Sequence, residues 1–219
     1  MKKSELHNIA TTSPVLLQFF ASKNPFHVLI KLLPIIGLLT WLLIIGDANW
    51  LTSILLLSIG IGFWSLFEYV THRWIYHINF KNRRVKWFFE TFHLYHHTVP
   101  KDYRVLNAGL LMIYPLFFLF SGFFFLITLD LTYTAWISFG AITYYFFYEN
   151  IHYLIHYKEY KKGYLHKIQK FHLYHHYRNW NKNYGNTITI WDKVFRTYDK
   201  KYKKFVPDTE HKTHFILKK

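Results

Sequence analysis

A six-residue sequence rich in histidine, FHLYHH, occurs twice in the chain, at Phe92–His97 and again at Phe171–His176. On a helix His93, His96 and His97 stand at i, i+3 and i+4, so their imidazoles project from one face. Imidazoles clustered in this way are a metal-ligand arrangement. The repeat therefore predicts two helices that each carry metal ligands.

A pair of histidines precedes each of these motifs. His72 and His77 lie upstream of the first motif, and His152 and His156 lie upstream of the second in nearly the same register. His152 and His156 are i and i+4 on a helix, whereas His72 and His77 are about 140° apart on a regular α-helix. A π-bulge or a helix end is therefore expected between His72 and His77. Ten of the 15 histidines belong to the four clusters, and the remaining ones are His7, His27, His166, His211 and His214.

The composition restricts what these ligands can bind and where they lie. The chain has no cysteine, so a metal must be held by nitrogen and oxygen. Ten imidazoles exceed the roughly four to six ligands of one ion, and two metals are therefore predicted. Apolar residues make up 52% and charged residues 18%, which favours a membrane protein. The formal charge of +15 is then explained by loops that face anionic lipid, and nucleic acid is not an expected partner.

Four apolar runs predict the transmembrane helices of an all-α integral membrane protein. The length of 219 residues favours a single domain that covers the whole chain. The predicted spans are 26–45, 51–70, 108–128 and 133–151. Lys31 in the first span is expected to snorkel. None of the 27 Lys and Arg residues falls in the short turns 46–50 and 129–132. The positive-inside rule therefore predicts that both termini are cytosolic, and that 71–107 and 152–219 form a cytosolic helical cap with the histidines.

Four carboxylates are candidates for supporting the ligands. Glu68 and Glu149 each precede a histidine pair by about one helical turn. Either carboxylate could accept the second ring proton of a ligating histidine and so fix its tautomer. The alternative is an interfacial carboxylate that faces lipid headgroups. Asp102 and Asp192 are candidates for the same supporting role on weaker grounds.

Other features of the chain carry less chemistry. Tyr95 and Tyr174, inside the two motifs, are expected to pack on the opposite helix face. The aromatic residues of the fourth apolar run are interpreted as core and interface belt, with an acyl-chain tunnel as the alternative. His211 and His214 do not match helical ligand spacing. The sequence contains no nucleophile elbow, phosphate loop or dinucleotide fingerprint.

The four clusters together resemble the histidine boxes of the fatty acid hydroxylase and sterol desaturase superfamily. The boxes read HRWIYH at 72–77, HLYHH at 93–97, HYLIH at 152–156 and HLYHH at 172–176. Within the superfamily the chain is most similar to the fatty acid 2-hydroxylases, because HHTVPKD at 96–102 and NYGNTITIWDKVFRT at 183–197 follow that branch's pattern. The resemblance covers roughly Glu68 to Thr197.

The resemblance implies a dinuclear iron centre in a cytosolic cap over four membrane helices. It implies hydroxylation of a lipid acyl chain by molecular oxygen, at C2 of a fatty acid or sphingolipid-type lipid. Zinc can replace iron in a purified sample. No cytochrome b5 domain is recognised in the chain, so a separate electron donor, cytochrome b5-like or ferredoxin-like, is expected. The composition looks bacterial and indicates the inner membrane. The implied metal ligands are His72, His77, His93, His96, His97, His152, His156, His172, His175 and His176.

The sequence is also compatible with two alternatives. A desaturase, or a carotenoid or sphingoid-base hydroxylase, uses the same histidine boxes, and the shape of the substrate tunnel decides between these outcomes. A membrane metal-binding or transport protein without enzymatic activity is a different class. The predicted spans contain almost no internal charged path, which disfavours transport.

Overall fold

Residues 21–77 and 95–206, together with Phe19, Lys81, Asn82, Val85 and His93, are described by the computed structural model. This part of the chain is helical and contains no β-strand, only an isolated bridge between Ala21 and Ala108. The α-helices are α1 (Pro25–Ile45), α2 (Trp50–Val70), α3 (Tyr95–Thr98), α4 (Tyr103–Leu106), α5 (Leu110–Thr128), α6 (Leu131–Tyr157), α7 (Gly163–Tyr177) and α8 (Ile190–Val194). A π-helix covers Thr71–Tyr76 and a 3-10 helix covers Lys200–Lys204.

Several predicted features lie outside the described residues. They include His7 and the rest of the N-terminal segment, most of the predicted cap between His77 and His93, and the basic C-terminal tail with His211 and His214. The side chain of Tyr95 is also outside them. The predictions for these parts stay predictions.

Three helices in the described part of the chain are long and apolar enough to cross a membrane: Pro25–Ile45, Trp50–Tyr76 and Leu110–Thr128. They contain most of the first three predicted spans. Their apolar side chains are widely exposed, for example Ile44 at 77% and Leu126 at 75%, as expected of a surface that faces lipid rather than water. The predicted fourth span lies within α6, which is rich in tyrosine and contains Glu149, and α6 is not among the three.

The chain divides into two compact units. The first, the apolar unit, comprises Ser13–Leu66 and Asn107–Asn150. The second, the histidine unit, draws its described residues mainly from Phe67–Leu106 and Ile151–Lys219. The expectation of one domain over the whole chain stays a prediction.

Helices in the apolar unit approach one another at glycine. A side chain on Gly140 of α6 would collide with the backbone of Leu57, and one on Gly60 of α2 would collide with the backbone of Ile137. Small residues allow this close approach in membrane proteins, where helix association depends on van der Waals contact. Aromatic rings fill the adjacent space, since Phe63 packs against Phe124 with centroids 4.9 Å apart.

The start of α1 also belongs to the apolar unit. Pro25 lies at the first helical turn, where its missing N–H costs nothing, and the side chain of Asn24 accepts a hydrogen bond from the His27 amide at 3.1 Å. Lys31 reaches back to this helix end, as predicted for a snorkelling side chain. Its ammonium donates to the Ala21 carbonyl at 2.7 Å. The charge is thus paired with polar backbone at the end of the helix.

The histidine unit contains a small core behind the histidine-bearing face of α7. Phe171 and Tyr174 pack with Tyr202 and Phe205, which belong to the segment after α8. The hydroxyl of Tyr174 donates to Asp199 Oδ2 at 3.0 Å. The predicted packing role of Tyr174 is therefore confirmed. A further cluster of Ile151, Ile155 and Ile168 contributes to the packing of α6 and α7.

Candidate metal centre

All ten histidines of the predicted clusters lie in the histidine unit. Nine of them are buried, and the tenth, His77, is half-buried. The π-helix at Thr71–Tyr76 confirms the irregularity expected between His72 and His77. Its wider turn brings the centroids of these two rings to 5.3 Å from each other. The spacing that did not fit a regular helix is thus accommodated by a local change of helix type.

Nine histidines form two groups in which the possible ligand atoms lie within 4.8 Å of one another. The five-histidine group consists of His72, His77, His93, His97 and His175. The four-histidine group consists of His96, His152, His156 and His172. Each group takes most of its members from one half of the sequence and one member, His175 or His96, from the other half. Each half of the sequence therefore contributes one histidine to the group formed mainly by the other half.

This exchange follows from the position of adjacent residues on a helix. The prediction of a single histidine face for each motif is only approximate, because His96 and His97 are neighbours in sequence and point about 100° apart. His93 and His97, one turn apart, share the five-histidine group, while His96 turns to the other group. His175 likewise leaves the group of His172.

His176 belongs to neither group by ligand distance, yet its ring lies among them. It stacks on His97 with centroids 4.0 Å apart, and its centroid is 4.4 Å from that of His172 and 4.8 Å from that of His96. Both of its ring nitrogens are buried without a hydrogen-bond partner. In the sequence repeat His176 corresponds to His97, which is a member of the five-histidine group.

The distances between ring nitrogens suit metal binding. The Nε2 atoms of His77 and His93 are 3.0 Å apart, as are those of His93 and His97. In the other group the Nε2 atoms of His156 and His172 are 2.9 Å apart. Two nitrogens that bind one ion at right angles at about 2.1 Å would be about 3.0 Å apart. The imidazoles therefore converge as ligands of a shared ion would.

Unpartnered nitrogen atoms make the same point. In the described part of the chain, the buried ring nitrogens without a hydrogen-bond partner include Nε2 of His72 and His175 and both ring nitrogens of His96 and His176. An unpaired buried polar atom is costly, so such a concentration calls for a ligand. A set of imidazoles without thiolates fits iron or zinc. The residues present therefore fit the two metals that the sequence predicts.

Burial also keeps these side chains in the form that binds metal. Loss of solvation, with a smaller contribution from the charges of neighbouring imidazoles, lowers the pKa of His96, His97 and His176 well below its ordinary value of 6.5. The same causes, in the same order, lower the pKa of His93 and His175. The imidazoles are therefore neutral near pH 7, and a neutral ring nitrogen has the lone pair that a metal requires.

Two backbone carbonyls fix the orientation of two rings in the five-histidine group. The Nδ1 atom of His72 lies 2.5 Å from the carbonyl oxygen of Tyr184, and that of His175 lies 2.8 Å from the carbonyl oxygen of Lys182. A carbonyl only accepts, so Nδ1 must carry the hydrogen in both rings. Each Nε2 is then left with its lone pair, and both Nε2 atoms are buried and unpartnered.

The family profile described as fatty acid hydroxylase matches residues 57–197. The chain belongs to the fatty acid hydroxylase family. The matched segment contains all ten clustered histidines and the loop that orients His72 and His175. This confirms the resemblance seen in the histidine boxes.

Individual proteins similar to this chain are also named as hydroxylases of fatty acids or fatty acyl groups. The dihydroceramide fatty acyl 2-hydroxylase of Arabidopsis thaliana is 32% identical over 147 residues, which are 65% of this chain and 60% of the relative. The ceramide very long chain fatty acid hydroxylase of Schizosaccharomyces pombe is 34% identical over 146 residues, 64% of this chain and 41% of the relative. This chain thus spans less than two thirds of the length of these curated relatives.

A solved structure is similar to the fold. It is full-length scs7p with only its hydroxylase domain visible. It matches 84% of this chain and 69% of its own chain, with a TM-score of 0.71 and 28% sequence identity. The helical fold described above is therefore shared with a hydroxylase domain.

Three of the four candidate carboxylates of this hydroxylase family member, Glu68, Glu149 and Asp192, have described partners other than ring nitrogens. Glu68 accepts from the amides of Asn186 and Thr187 at 2.7 and 3.1 Å and from the Thr187 hydroxyl at 2.7 Å. Glu149 accepts from the Asn107 side chain at 2.6 Å. The described hydrogen bonds of Glu68 and Glu149 are thus with loop residues and not with a histidine ring. Both carboxylates are buried, so neither faces lipid headgroups.

The side chain of Asp192 also accepts from backbone amides, whereas the described hydrogen bonds of Asp102 are made by its own backbone. Asp192 is fully buried and accepts from the amides of Tyr184 and Gly185 at 2.8 and 2.9 Å. Burial raises the pKa of Asp192, and the hydrogen bonds from Thr197 and from these amides oppose this effect. The described hydrogen bonds of Asp102 include backbone bonds to Val99 and Val105. A supporting role for Asp102 therefore stays a prediction.

Gln169, next to the histidine groups, is not indicated by any pattern in the sequence. It lies one turn before His172 on α7 and is 2% exposed. Its Nε2 atom donates to the carbonyls of Ile155 and Lys158 at 2.8 and 2.5 Å, and its Oε1 atom accepts from the Tyr160 amide at 3.0 Å. This amide side chain ties the end of α6 to α7. The one sign of this role in the sequence is that Gln169, a polar residue, lies three positions before His172 on the histidine-bearing helix.

Proposed function

We propose that this protein hydroxylates a lipid acyl chain with molecular oxygen, most specifically at C2 of a fatty acid or sphingolipid-type lipid. The observation that carries the proposal is the pair of buried imidazole groups, each with ligand atoms within 4.8 Å of one another. The relatives named as fatty acyl 2-hydroxylase and ceramide fatty acid hydroxylase support the substrate class.

The metal ligands are the ten histidines of the four clusters. The five-histidine group holds one ion and the four-histidine group holds the other. His176 completes the second group as its fifth ligand, because it corresponds to His97 in the repeat and has two unpartnered ring nitrogens. The working metals are two iron ions, and zinc is expected to replace them readily during purification. When bound, iron supplies the activation of oxygen with two external electrons.

The chain itself holds and shields this centre. The buried imidazoles stay neutral, and the carbonyls of Lys182 and Tyr184 keep two rings in the correct tautomer. Exclusion of water protects the reaction from side paths. Overall, one C–H bond, one O₂, two electrons and two protons give one C–OH and one water. The electrons come from a separate donor, cytochrome b5-like or ferredoxin-like.

The proposed topology has four membrane helices, with 133–151 of α6 as the fourth span. The histidine-bearing segments 71–107 and 152–219 form a cytosolic cap, both termini are cytosolic, and the membrane is a bacterial inner membrane. The support is the absence of Lys and Arg from 46–50 and 129–132, although the chain has 27 of them. A lipid acyl chain would then reach the metals from the membrane.

The function is tested by mass spectrometry of total lipids from a host that makes no hydroxylated acyl chains of its own. The wild type is compared with His172→Ala and with the matched control His166→Ala. Both residues lie on α7, but the ring of His166 contacts the Tyr160 carbonyl and belongs to neither group. Acyl chains should gain one oxygen with the wild type and with His166→Ala, and not with His172→Ala.

Fragmentation of the product places the hydroxyl, which should be at C2. Acyl chains that lose two hydrogens instead would identify a desaturase. Unchanged lipids, in a host that supplies electrons and ceramide-type lipids, would refute the proposed activity. Product from His172→Ala at the wild-type level would refute its role as a ligand.

A further inference from the structure

Four consecutive backbone amides in the loop after α7 are held by two carboxylates. Asp192 accepts from Tyr184 and Gly185 at 2.8 and 2.9 Å, and Glu68 accepts from Asn186 and Thr187 at 2.7 and 3.1 Å. A carboxyl group has two oxygens that can each accept hydrogen bonds, so one side chain can hold two neighbouring N–H groups at once. The two side chains therefore fix the direction of every peptide N–H from 184 to 187.

The same loop presents carbonyls to metal ligands. Lys182 and Tyr184 offer their carbonyl oxygens to the Nδ1 atoms of His175 and His72. Asn183, between them, has a positive φ of 60° and is fully buried, and its Oδ1 atom accepts from the Asp199 amide at 2.7 Å. The backbone is thus held in an uncommon conformation that aims both carbonyls at rings.

The two rings that this loop orients belong to the same metal group. His72 and His175 are both members of the five-histidine group, and the described hydrogen bonds from histidine rings to 182–187 come from these two residues. In the four-histidine group, the described contacts of His156 and His172 are to other histidines. The loop therefore orients rings of the five-histidine group, and no described histidine contact gives it the same role in the four-histidine group.

We propose that Asp192 and Glu68 are positioning residues for the ion of the five-histidine group alone. They hold loop 182–187 so that the carbonyls of Lys182 and Tyr184 keep the Nε2 lone pairs of His72 and His175 directed at that ion. The inference rests on the proposed two-metal centre. Loss of such indirect support typically weakens metal binding by about 10- to 100-fold.

Asp192→Asn tests the proposal with a readout that does not depend on turnover. The substitution keeps the shape of the side chain but replaces one acceptor oxygen with an NH₂ group that faces a backbone amide. The full-length protein is loaded with Zn²⁺, exposed to a series of chelator concentrations, and analysed for zinc per chain. The wild type should hold two equivalents. Asp192→Asn should lose one equivalent at about 10- to 100-fold lower chelator and retain the other unchanged.

Two variants that each retain one intact histidine group show which of the two ions is bound more weakly. In His156→Ala, which leaves only the five-histidine group intact, adding Asp192→Asn should produce the full shift. In His77→Ala, which leaves only the four-histidine group intact, adding Asp192→Asn should produce none. Asp199→Asn is the matched control, because its carboxylate accepts from Tyr174 and not from the loop amides. It should behave like the wild type.

The outcomes separate this inference from the proposed function. A wild type that binds fewer than two zinc ions would overturn the two-metal centre and the inference with it. Two ions in the wild type and an unchanged Asp192→Asn would overturn the inference alone. An equal shift in both backgrounds would also overturn it, since general loss of folding weakens both groups. If Asp192→Asn is not recovered folded, Thr197→Val, which removes one 2.7 Å hydrogen bond to Asp192, should give a smaller shift in the same background only.

Discussion

Gln169→Leu should loosen the connection between the two ligand helices of the second half. The glutamine amide makes three hydrogen bonds, to the carbonyls of Ile155 and Lys158 and from the amide of Tyr160. Leucine has a similar size but leaves all three backbone groups without this partner. The site is 2% exposed, so water does not readily replace the lost bonds.

The magnitude follows from these three bonds. At about 1 kcal/mol for each neutral hydrogen bond, the substitution should lower the free energy of opening of this segment by about 3 kcal/mol. Because about 1.4 kcal/mol corresponds to a factor of ten, the amide of Tyr160 should exchange its hydrogen about 100-fold faster. The hydrophobic gain from leucine would reduce this figure but not reverse it.

Hydrogen–deuterium exchange in detergent micelles, read by mass spectrometry on peptides that cover 157–162, measures this change. The matched control is Lys167→Leu, an exposed position on the same helix, which should leave exchange of these peptides unaltered. An acceleration below about threefold in Gln169→Leu, or an equal acceleration in the control, would refute the bridging role of Gln169.

Two further predictions concern the membrane part of the protein. Gly140→Leu should lower the melting temperature of the detergent-solubilised protein, since overpacking costs about 1–3 kcal/mol and the new side chain meets the backbone of Leu57, whereas Gly122→Leu, with open space around it, should not. Equal melting of the two variants would contradict the close helix contact. A reporter enzyme fused after Lys219 should be active on the cytosolic side, because the chain's basic segments follow the positive-inside rule, and activity in the periplasm would overturn the proposed topology.

The sequence alone was sufficient to mark the candidate ligands and to predict the irregular helix between two of them. Helical spacing and the repeat marked the ten histidines, and the i, i+5 spacing of His72 and His77 correctly required an irregular helix, which is the π-helix at Thr71–Tyr76. The apolar runs located three helices that are long and apolar enough to cross a membrane to within a few residues, except that Trp50–Tyr76 continues through the π-helix. These features depend on residues that are close in sequence, so they can be predicted from the pattern of residue types.

The distribution of the histidines between the two groups was decided only by the tertiary structure. The sequence repeat does not say that His96 and His175 exchange groups, because the direction of a ring depends on how α3 and α7 pack together. Nor does it say that Glu68 binds residues more than a hundred positions away rather than the histidine one turn along. A buried carboxylate takes the nearest unpaired amides in space, and a backbone carbonyl such as that of Tyr184 has no signature in residue type. The sequence by itself thus indicated which histidines are candidate ligands, and the packing of distant segments determined which group each of them joins and which backbone carbonyls hold its ring.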